Sequence, residues 1–360
     1  MAKQTLATLA RELGVSRTTV SNAYNRPEQL SPELREKILD TAARLGYAGP
    51  DPTARSLRRR RTGTIGVLFT DHLTYAFDDL ASVDFLAGMA EVGQERGAAL
   101  TLVPAKPSGA VAPDLVNSAV VDGFVVYSVA AQDPYLQAAV ARQLPLVVCD
   151  QPVGTSLPFV GIDDRAAIAP AARALVAAGH RRIGILCIRL DRLRNDGEVS
   201  AERLHAASLH VQRSRVLGAL DVFRDAGITG DIPVVERHIN DRQNNRDAAQ
   251  ELLERHPDIT AVLCTTDSMS FGVLDYAAER GIRVPEDLSV TGFDGVSTAL
   301  ARGLTTVIQP NREKGIASAR ALFRLIEGEA IEPERILDTT WFPGNTVSTP
   351  RATNAELPTR

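Results

Sequence analysis

Apolar positions over the first 46 residues recur with helical spacing. Leu6, Leu9, Ala10 and Leu13 fall at i, i+3, i+4 and i+7 behind Thr5, a residue suited to capping a helix. Gly14 then stops that helix, because glycine accepts the left-handed conformation of a tight turn. Ser16 can cap a second helix, in which Val15 and Val20 face back to the first while Arg17, Thr18, Ser21 and Asn22 face outward. A third helix is expected behind Ser31 and Pro32, with the stripe Leu34, Ile38, Ala42 and Leu45, and it ends at Gly46. Three short helices around one small core make a compact module, and the second helix carries hydrogen-bonding side chains on its N-terminal half. That half meets base edges when such a helix enters the major groove.

From Thr64 onward the pattern changes to short apolar runs separated by helical stretches. Strands are predicted at Thr64–Phe69, Ala99–Val103, Gly123–Tyr127, Leu146–Cys149, Phe159–Ile162, Ile183–Ile188, Val234–Glu236, Ala261–Cys264, Leu288–Phe293 and Thr305–Ile308. Helices are predicted at Asp79–Arg96, Pro134–Arg142, Arg165–Ala178, Ser214–Ala226, Asn244–Arg255, Ser268–Arg280 and Arg312–Glu327. Strands that are apolar throughout and alternate with helices imply parallel sheets covered on both faces. Ten strands are many for one sheet, so the expected body is two doubly wound α/β subdomains with a cleft between them.

Charge divides the chain in the same place. The first 61 residues hold 12 Lys and Arg against 6 Asp and Glu; the whole chain holds 40 against 44, leaving 28 against 38 for the remainder. A basic head on an acidic body implies that only the head meets a polyanion. Between them lies Asp51-Pro52-Thr53-Ala54-Arg55-Ser56-Leu57, followed by Arg58 to Arg61. It has helix-start signals but almost no apolar stripe, so it is expected to fold on phosphates, which cancel the arginine repulsion. Leu57 is suited to wedge between base steps in the minor groove. The competing reading is a solvated basic linker.

Ligands of open α/β sheets collect beyond the carboxyl ends of the strands. There the chain places Thr70, Asp71 and His72, then Tyr127 and Ser128, Asp150, Thr265 to Asp267, and Asp294, with Arg215 opening a helix. Carboxylates and a guanidinium around one cleft suit a small polar molecule such as a sugar, nucleoside or acid, and Tyr75 and Phe77 can offer it an apolar face. Each residue alone has a plainer explanation: Asp163 and Asp267 can be nothing more than helix caps.

The motifs Thr5-Leu6-Ala7-Thr8-Leu9-Ala10, Gly14-Val15-Ser16, Thr19-Val20-Ser21, Asn25, Arg35-Glu36-Lys37-Ile38, Leu45-Gly46-Tyr47 and Ala54…Leu57 together resemble the lactose-repressor (LacI/GalR) family of bacterial transcription regulators. The body resembles that family's effector domain, a fold like the periplasmic sugar-binding proteins. Gly179-His180-Arg181-Arg182-Ile183, Arg215…Gly218, Asp267-Ser268-Met269, Val284-Pro285-Glu286-Asp287-Leu288-Ser289-Val290, Gly292-Phe293-Asp294 and Leu304-Thr305-Thr306-Val307 match its pattern in order.

The resemblance implies that Arg17, Thr18 and Asn22 read bases, that Thr5, Ser16, Thr19, Ser21, Asn25 and Ser31 contact the backbone, and that Ala54 and Leu57 lie in the minor groove; Arg58, the first of the hinge arginines, is expected to bind DNA as well. It implies an effector cleft lined by Thr70, Tyr127, Asp150, Arg215, Asp267 and Asp294. It also implies a homodimer on double-stranded operator DNA, and chain crossovers near residues 162, 292 and 325. The expected division is a head at 1–50, a hinge at 51–62, an effector domain at 63–350 and a polar tail at 351–360. The N-subdomain would take 63–162 and 292–325, the C-subdomain 163–291 and 326–345.

Two stretches depart from the family pattern. Asp71 to Asp84 is longer and more acidic than usual. Arg189 to Arg213 is a polar insertion without apolar periodicity, read as a mobile loop or lid at the cleft. Its His205 and His210 are read as surface residues, not metal ligands.

No metal or cofactor is expected. Cys149, Cys187 and Cys264 each end an apolar run and have no metal-like spacing, so buried free thiols in a reducing compartment are expected. No signal-like segment precedes the first helix and no apolar run approaches the ~20 residues of a membrane span, so a cytoplasmic protein without membrane contact is expected. An enzyme is disfavoured: the chain lacks Gly-x-x-x-x-Gly-Lys, Gly-x-Ser-x-Gly and His-Glu-x-x-His, and acid–base work by the cleft carboxylates would leave the basic head unexplained. An uptake binding protein would not need the head, and an architectural DNA binder would not need the cleft. The reading is a ligand-responsive transcription regulator, most simply a repressor.

Overall fold

A computed structural model describes residues 4–49, 61–69, 71–105 and 113–351. The chain forms two compact units, one up to Gly63 and one from Thr64.

The first unit holds helices at Leu6–Leu13, Arg17–Asn25 and Pro32–Arg44. Thr5 and Thr8 cap the first reciprocally, each side chain taking the other's backbone N–H, and Gly14 closes it at φ 65°. Ser16 caps the second helix and Ser31 the third. Leu9, Ala10, Val20, Ala23, Ile38 and Ala42 form the shared core.

The second unit contains two sheets. β1 (Thr64–Phe69), β2 (Ala99–Pro104), β3 (Phe124–Tyr127), β4 (Leu146–Cys149), β5 (Phe159–Gly161) and β12 (Glu334–Ile336) form one, in the order β12-β5-β4-β3-β1-β2 and all parallel. β6 (Ile183–Ile188), β7 (Gly197–Glu198), β8 (Val234–Arg237), β9 (Ala261–Cys264), β10 (Ser289–Asp294), β11 (Thr305–Ile308) and β13 (Thr340–Phe342) form the other, ordered β13-β11-β10-β9-β6-β8-β7. Its two edge strands, β7 and β13, run antiparallel. β3, β4 and β9 are buried along their whole length, because helices cover both faces of each sheet. The short strands β7, β12 and β13 carry no apolar run and escape a reading by hydrophobic pattern.

The crossovers expected near 292 and 325 lie elsewhere. β10 runs unbroken through Gly292 between β9 and β11, so the chain stays in the second sheet as far as Ile308. It returns to the first half only with the helix Asn311–Ile326, whose Ala317, Ala319, Leu322 and Phe323 join the core under β1, β3 and β4. It remains there through β12 and crosses back before β13. Residues 292–308 therefore belong with the C-terminal sheet and 326–336 with the N-terminal one. Glycines set the close approach of Asn311–Ile326 to the helix Leu80–Arg96: a Cβ on Gly88 would sit 2.0 Å from the Arg312 carbonyl oxygen, and one on Gly315 2.1 Å from that of Phe85. That approach brings Lys314 down onto the end of β4.

Candidate functional site

On the second helix of the head, Arg17 and Thr18 are exposed, as are Thr5, Ser16 and Ser31 at the helix starts. Asn22 is half-buried, with Nδ2 donating to Gln29 Oε1 at 3.0 Å. Ser21, read from its spacing as outward-facing, is only 8% exposed, and its hydroxyl accepts from Asn25 Nδ2 at 3.1 Å. It sits at the edge of the helix face that buries Val20 and Ala23, covered by the Asn25 side chain of the next turn. Thr19 is half-buried and its hydroxyl lies 2.8 Å from that of Ser16. Ala54, Leu57 and Arg58 lie outside the described residues, as does Thr70.

In the second unit the carboxyl ends of strands from both sheets converge on one cleft. Three of the four non-glycine residues with positive φ among the described residues sit there: Ser128 at 57°, Asp150 at 67° and Asp294 at 125°. Backbone held in such rare conformations concentrates at functional sites.

The cleft is built around buried cation–carboxylate pairs. After β4, Asp150 accepts from Lys314 Nζ at 2.8 and 3.0 Å, and Nζ also donates to Gln309 Oε1 at 2.9 Å. Arg215 donates from Nε to Asp164 Oδ1 at 2.8 Å and from Nη1 to the Thr265 carbonyl at 2.9 Å, and it lies 3.5 Å from Asp294 Oδ1. Its guanidinium carbon lies 3.9 Å from the centroid of the Phe293 ring. Arg189, following β6, donates to Asp71 Oδ2 at 2.6 Å. Burial works against the charge on Arg215, yet Asp164 and Asp294 hold its pKa above the usual value. Burial pushes Asp164 up to about 6 against the pull of Arg215, and it raises Asp294 well above the carboxylate range.

Asp267 is not the helix cap that its position allowed. Thr266 caps Asp267–Arg280 by accepting from the Met269 N–H, which frees the Asp267 carboxylate to tie neighbouring strands together. It accepts from Thr306 Oγ1 at 2.6 Å and from the Val296 N–H at 3.0 Å. Burial lifts it to about 6, opposed by those donors. Asp163, in contrast, does cap the next helix through the Ala166 N–H.

Arg215 does not open its helix. That helix begins at His210 and places Arg215 in its second turn, aimed inward. Tyr127 is buried in a stack with Phe69 and Phe85, their ring centroids at 5.4 and 4.1 Å. Tyr75 lines the cleft, and its hydroxyl accepts from Asn240 Nδ2 at 2.9 Å. Phe77 does not line it. The short helix Tyr75–Asp78 turns this ring outward, leaving it 65% exposed. Two neighbouring spaces result, with Tyr75, Asp79 and Asp294 lining both. An outer cavity of about 680 Å³ is walled by Tyr75, Asp79, Asn240, Asp267, Phe271 and Arg302, among others. An inner one of about 70 Å³ reaches Tyr127, Asp150, Gln151, Arg215 and Gln309. Lys314, Gln309, Gln151, Asn240, Asp164 and Arg189 were not found from the sequence. Gln309 follows a predicted strand and carried a usable signal; Lys314 lies inside a helix and carried none.

The insertion from Arg189 is an ordered element and not the expected mobile loop. β7 pairs with β8, and Ala201–Ala206 is helical. Glu236, 1% exposed, accepts from the Leu190 N–H at 2.8 Å and from Arg203 Nη2 at 2.6 Å. Asp191 accepts from the Ser208 N–H at 2.8 Å. Leu190, Leu204 and Ala207 sink into the core. Buried polar anchors replace an apolar stripe, so hydrophobic periodicity could not show this order. His205 is exposed, whereas His210 is half-buried with Nε2 3.2 Å from the Ser214 hydroxyl. Among the described residues no group of three His, Cys, Asp or Glu side chains is placed to hold a metal ion, and no helix is long and apolar enough to cross a membrane. Cys149, Cys187 and Cys264 are free and buried.

A helix-turn-helix head ahead of a two-sheet domain with a polar cleft defines a class: DNA-binding transcription regulators built on the periplasmic-binding-protein fold. The family model for periplasmic binding proteins and the sugar binding domain of the LacI family matches residues 62–346. The HTH-type transcriptional regulator IpsA of Corynebacterium glutamicum is 58% identical over 350 residues, 96% of this chain and 97% of that protein. A crystal structure of a LacI-family transcriptional regulator from Corynebacterium glutamicum superposes with a TM-score of 0.77 at 55% identity, covering 97% of this chain and all of that one. The regulator CelR, solved in complex with cellobiose, superposes with a TM-score of 0.68 at 27% identity over 95% of this chain and 99% of that one. The chain belongs to the LacI family of transcriptional regulators and is not an enzyme.

Proposed function

We propose that this regulator is a ligand-responsive repressor that binds a near-palindromic operator as a homodimer and takes a small polar effector in its cleft. Its place of action is the cytoplasm. The observation that carries the ligand reading is the meeting of charged pairs from both sheets around neighbouring cavities of about 680 and 70 Å³. Lys314, Arg215 and Arg189 each already face a carboxylate, and two further cations on the wall of the larger cavity, Arg242 and Arg302, lie against Asp275 and the Phe271 ring. Hydroxyl-rich neutral molecules of the sugar or nucleoside class fit such a site better than their phosphates. The cellobiose complex of CelR supports the same class.

Two heads would set the helix starting at Arg17 in successive major grooves, while the arginine-rich segment 51–62 folds as paired hinge helices in the minor groove between them. Closing or opening the cleft changes the separation of the hinges. The ligand biases that equilibrium by its differential affinity for the two states.

The test is binding of the purified protein to fragments of its own genome, starting upstream of its gene, across a salt series and with a panel of sugars, nucleosides and their phosphates. Sequence-specific binding with a steep salt slope, changed by one neutral compound, is the expected result. Weak binding indifferent to sequence at every salt would sink the operator reading. On the operator so found, Arg17→Ala should relax base preference at one position by about 1–3 kcal/mol, measured by competition among single-base operator variants.

A further inference from the structure

The Arg189–Val211 stretch joins the two halves of the effector unit at three separate places. Arg189 reaches Asp71 behind β1 at 2.6 Å. Arg192 Nε lies 3.2 Å from Asp133 Oδ2, at the start of the helix Pro134–Ala141. The Val211 N–H donates across to Gln151 Oε1, behind β4, at 3.1 Å. Asp71, Asp133 and Gln151 are each less than a tenth exposed, so the first half's end of each contact is shielded from water, while the Arg192 side chain keeps a quarter of its surface exposed. The stretch itself is held rigidly on the second half. Glu236 and Asp191 clamp Arg203, and Asp191 also binds Ser208. A rigid arm fixed to one half, with its tips bonded to the other, restrains the angle between them.

We propose that residues 189–211 form a clasp that holds the cleft shut before any ligand arrives. The clasp sets the closed population from which the ligand-bound state is drawn. It gives the polar side chains at the cleft edge a use: Arg189 and Arg192 are the fastening, while Glu236 and Asp191 order the arm that carries them. Loosening it lowers the closed fraction, and apparent ligand affinity falls by the same factor. The inference rests on the contacts between halves and not on the identity of the effector.

Hydrogen exchange on the full-length protein, followed by mass spectrometry of peptides, tests it. Arg192 and Asp133 lie outside the cavity walls, so they can be changed without touching the ligand site. Asp133→Asn keeps a helix-capping side chain but loses the charge. Arg192→Gln and Asp133→Asn should each speed exchange of residues 209–213 and 71–79 by about tenfold, the factor expected if opening becomes easier by one shielded charge pair. Arg192→Lys, which keeps the cation, should stay near the parent protein. Peptides of β6, β8 and β9 should not change. Unchanged exchange at 209–213 and 71–79 in both neutralised variants would overturn the clasp. So would acceleration spread equally through β7, β8 and the helix Ala201–Ala206, because the pair would then only hold the insertion's own fold. Rates for Arg192→Lys as fast as for Arg192→Gln would overturn it as well.

Discussion

Lys314→Met is expected to lower the thermal midpoint of the effector unit by about 10 °C. The ammonium is 1% exposed and donates to both oxygens of Asp150 and to Gln309. Methionine fills much the same volume but strands the Asp150 carboxylate, itself 7% exposed, without a counter-charge. Breaking one side of a buried pair costs about 3–5 kcal/mol, and a domain of this size loses roughly 2–4 °C per kcal/mol. Melting followed by circular dichroism measures the effect. The double variant Lys314→Met, Asp150→Asn should recover most of the loss, because asparagine tolerates the positive φ at that position and carries no charge. Equal melting of the single and double variants would show that lost packing, and not the stranded charge, is responsible.

Arg215→Met is expected to be as damaging at pH 8, again by about 3–5 kcal/mol, and much less so in mild acid. In the parent protein the guanidinium faces Asp164 and Asp294 and lies on Phe293. Without it, two buried carboxylates lose their shared counter-charge. Burial already raises both pKa values, Asp164 to about 6, and losing Arg215 removes the main influence that lowers them. A carboxyl whose folded pKa exceeds its unfolded value contributes stability below the unfolded pKa and loses it as pH rises through the folded one. The variant's deficit should therefore shrink as pH falls from 8 through 6, while both carboxyls take up protons. Urea unfolding of both proteins from pH 5 to 8 reads the difference directly. A deficit independent of pH would remove the carboxylates from the explanation. The same variant should lose its response to the effector found in the panel, because Arg215 lines the inner cavity.

Much of the architecture was legible along the chain. Buried parallel strands such as Leu146–Cys149 and Ala261–Cys264 are apolar throughout, and the helix caps Thr5, Ser16 and Ser31 stand where the backbone needs them. These are local effects, decided by neighbours within a few residues. Ser21 shows the limit, since a position read as outward-facing turned out to be buried. The insertion at Arg189 shows another. Its order comes from Glu236, more than 30 residues away, and not from any stripe of its own.

Hydrophobic period, caps and the charge contrast between head and body are properties of neighbouring residues, so the chain's pattern alone implies a helical DNA-reading head on a two-sheet α/β body. Which charges are buried, and with whom, is not a property of neighbours. Lys314 meets Asp150 across 164 positions, and Arg189 meets Asp71 across 118. In one dimension each reads as an ordinary solvated side chain. Only when two sheets and the helix between them remove the water do these charges have to find each other, because an unpaired charge in that interior costs more than the fold can supply. The crossovers after β11 and β12, and the contacts of a polar insertion with both halves, are likewise visible only once the chain is folded, because each depends on residues far apart in sequence.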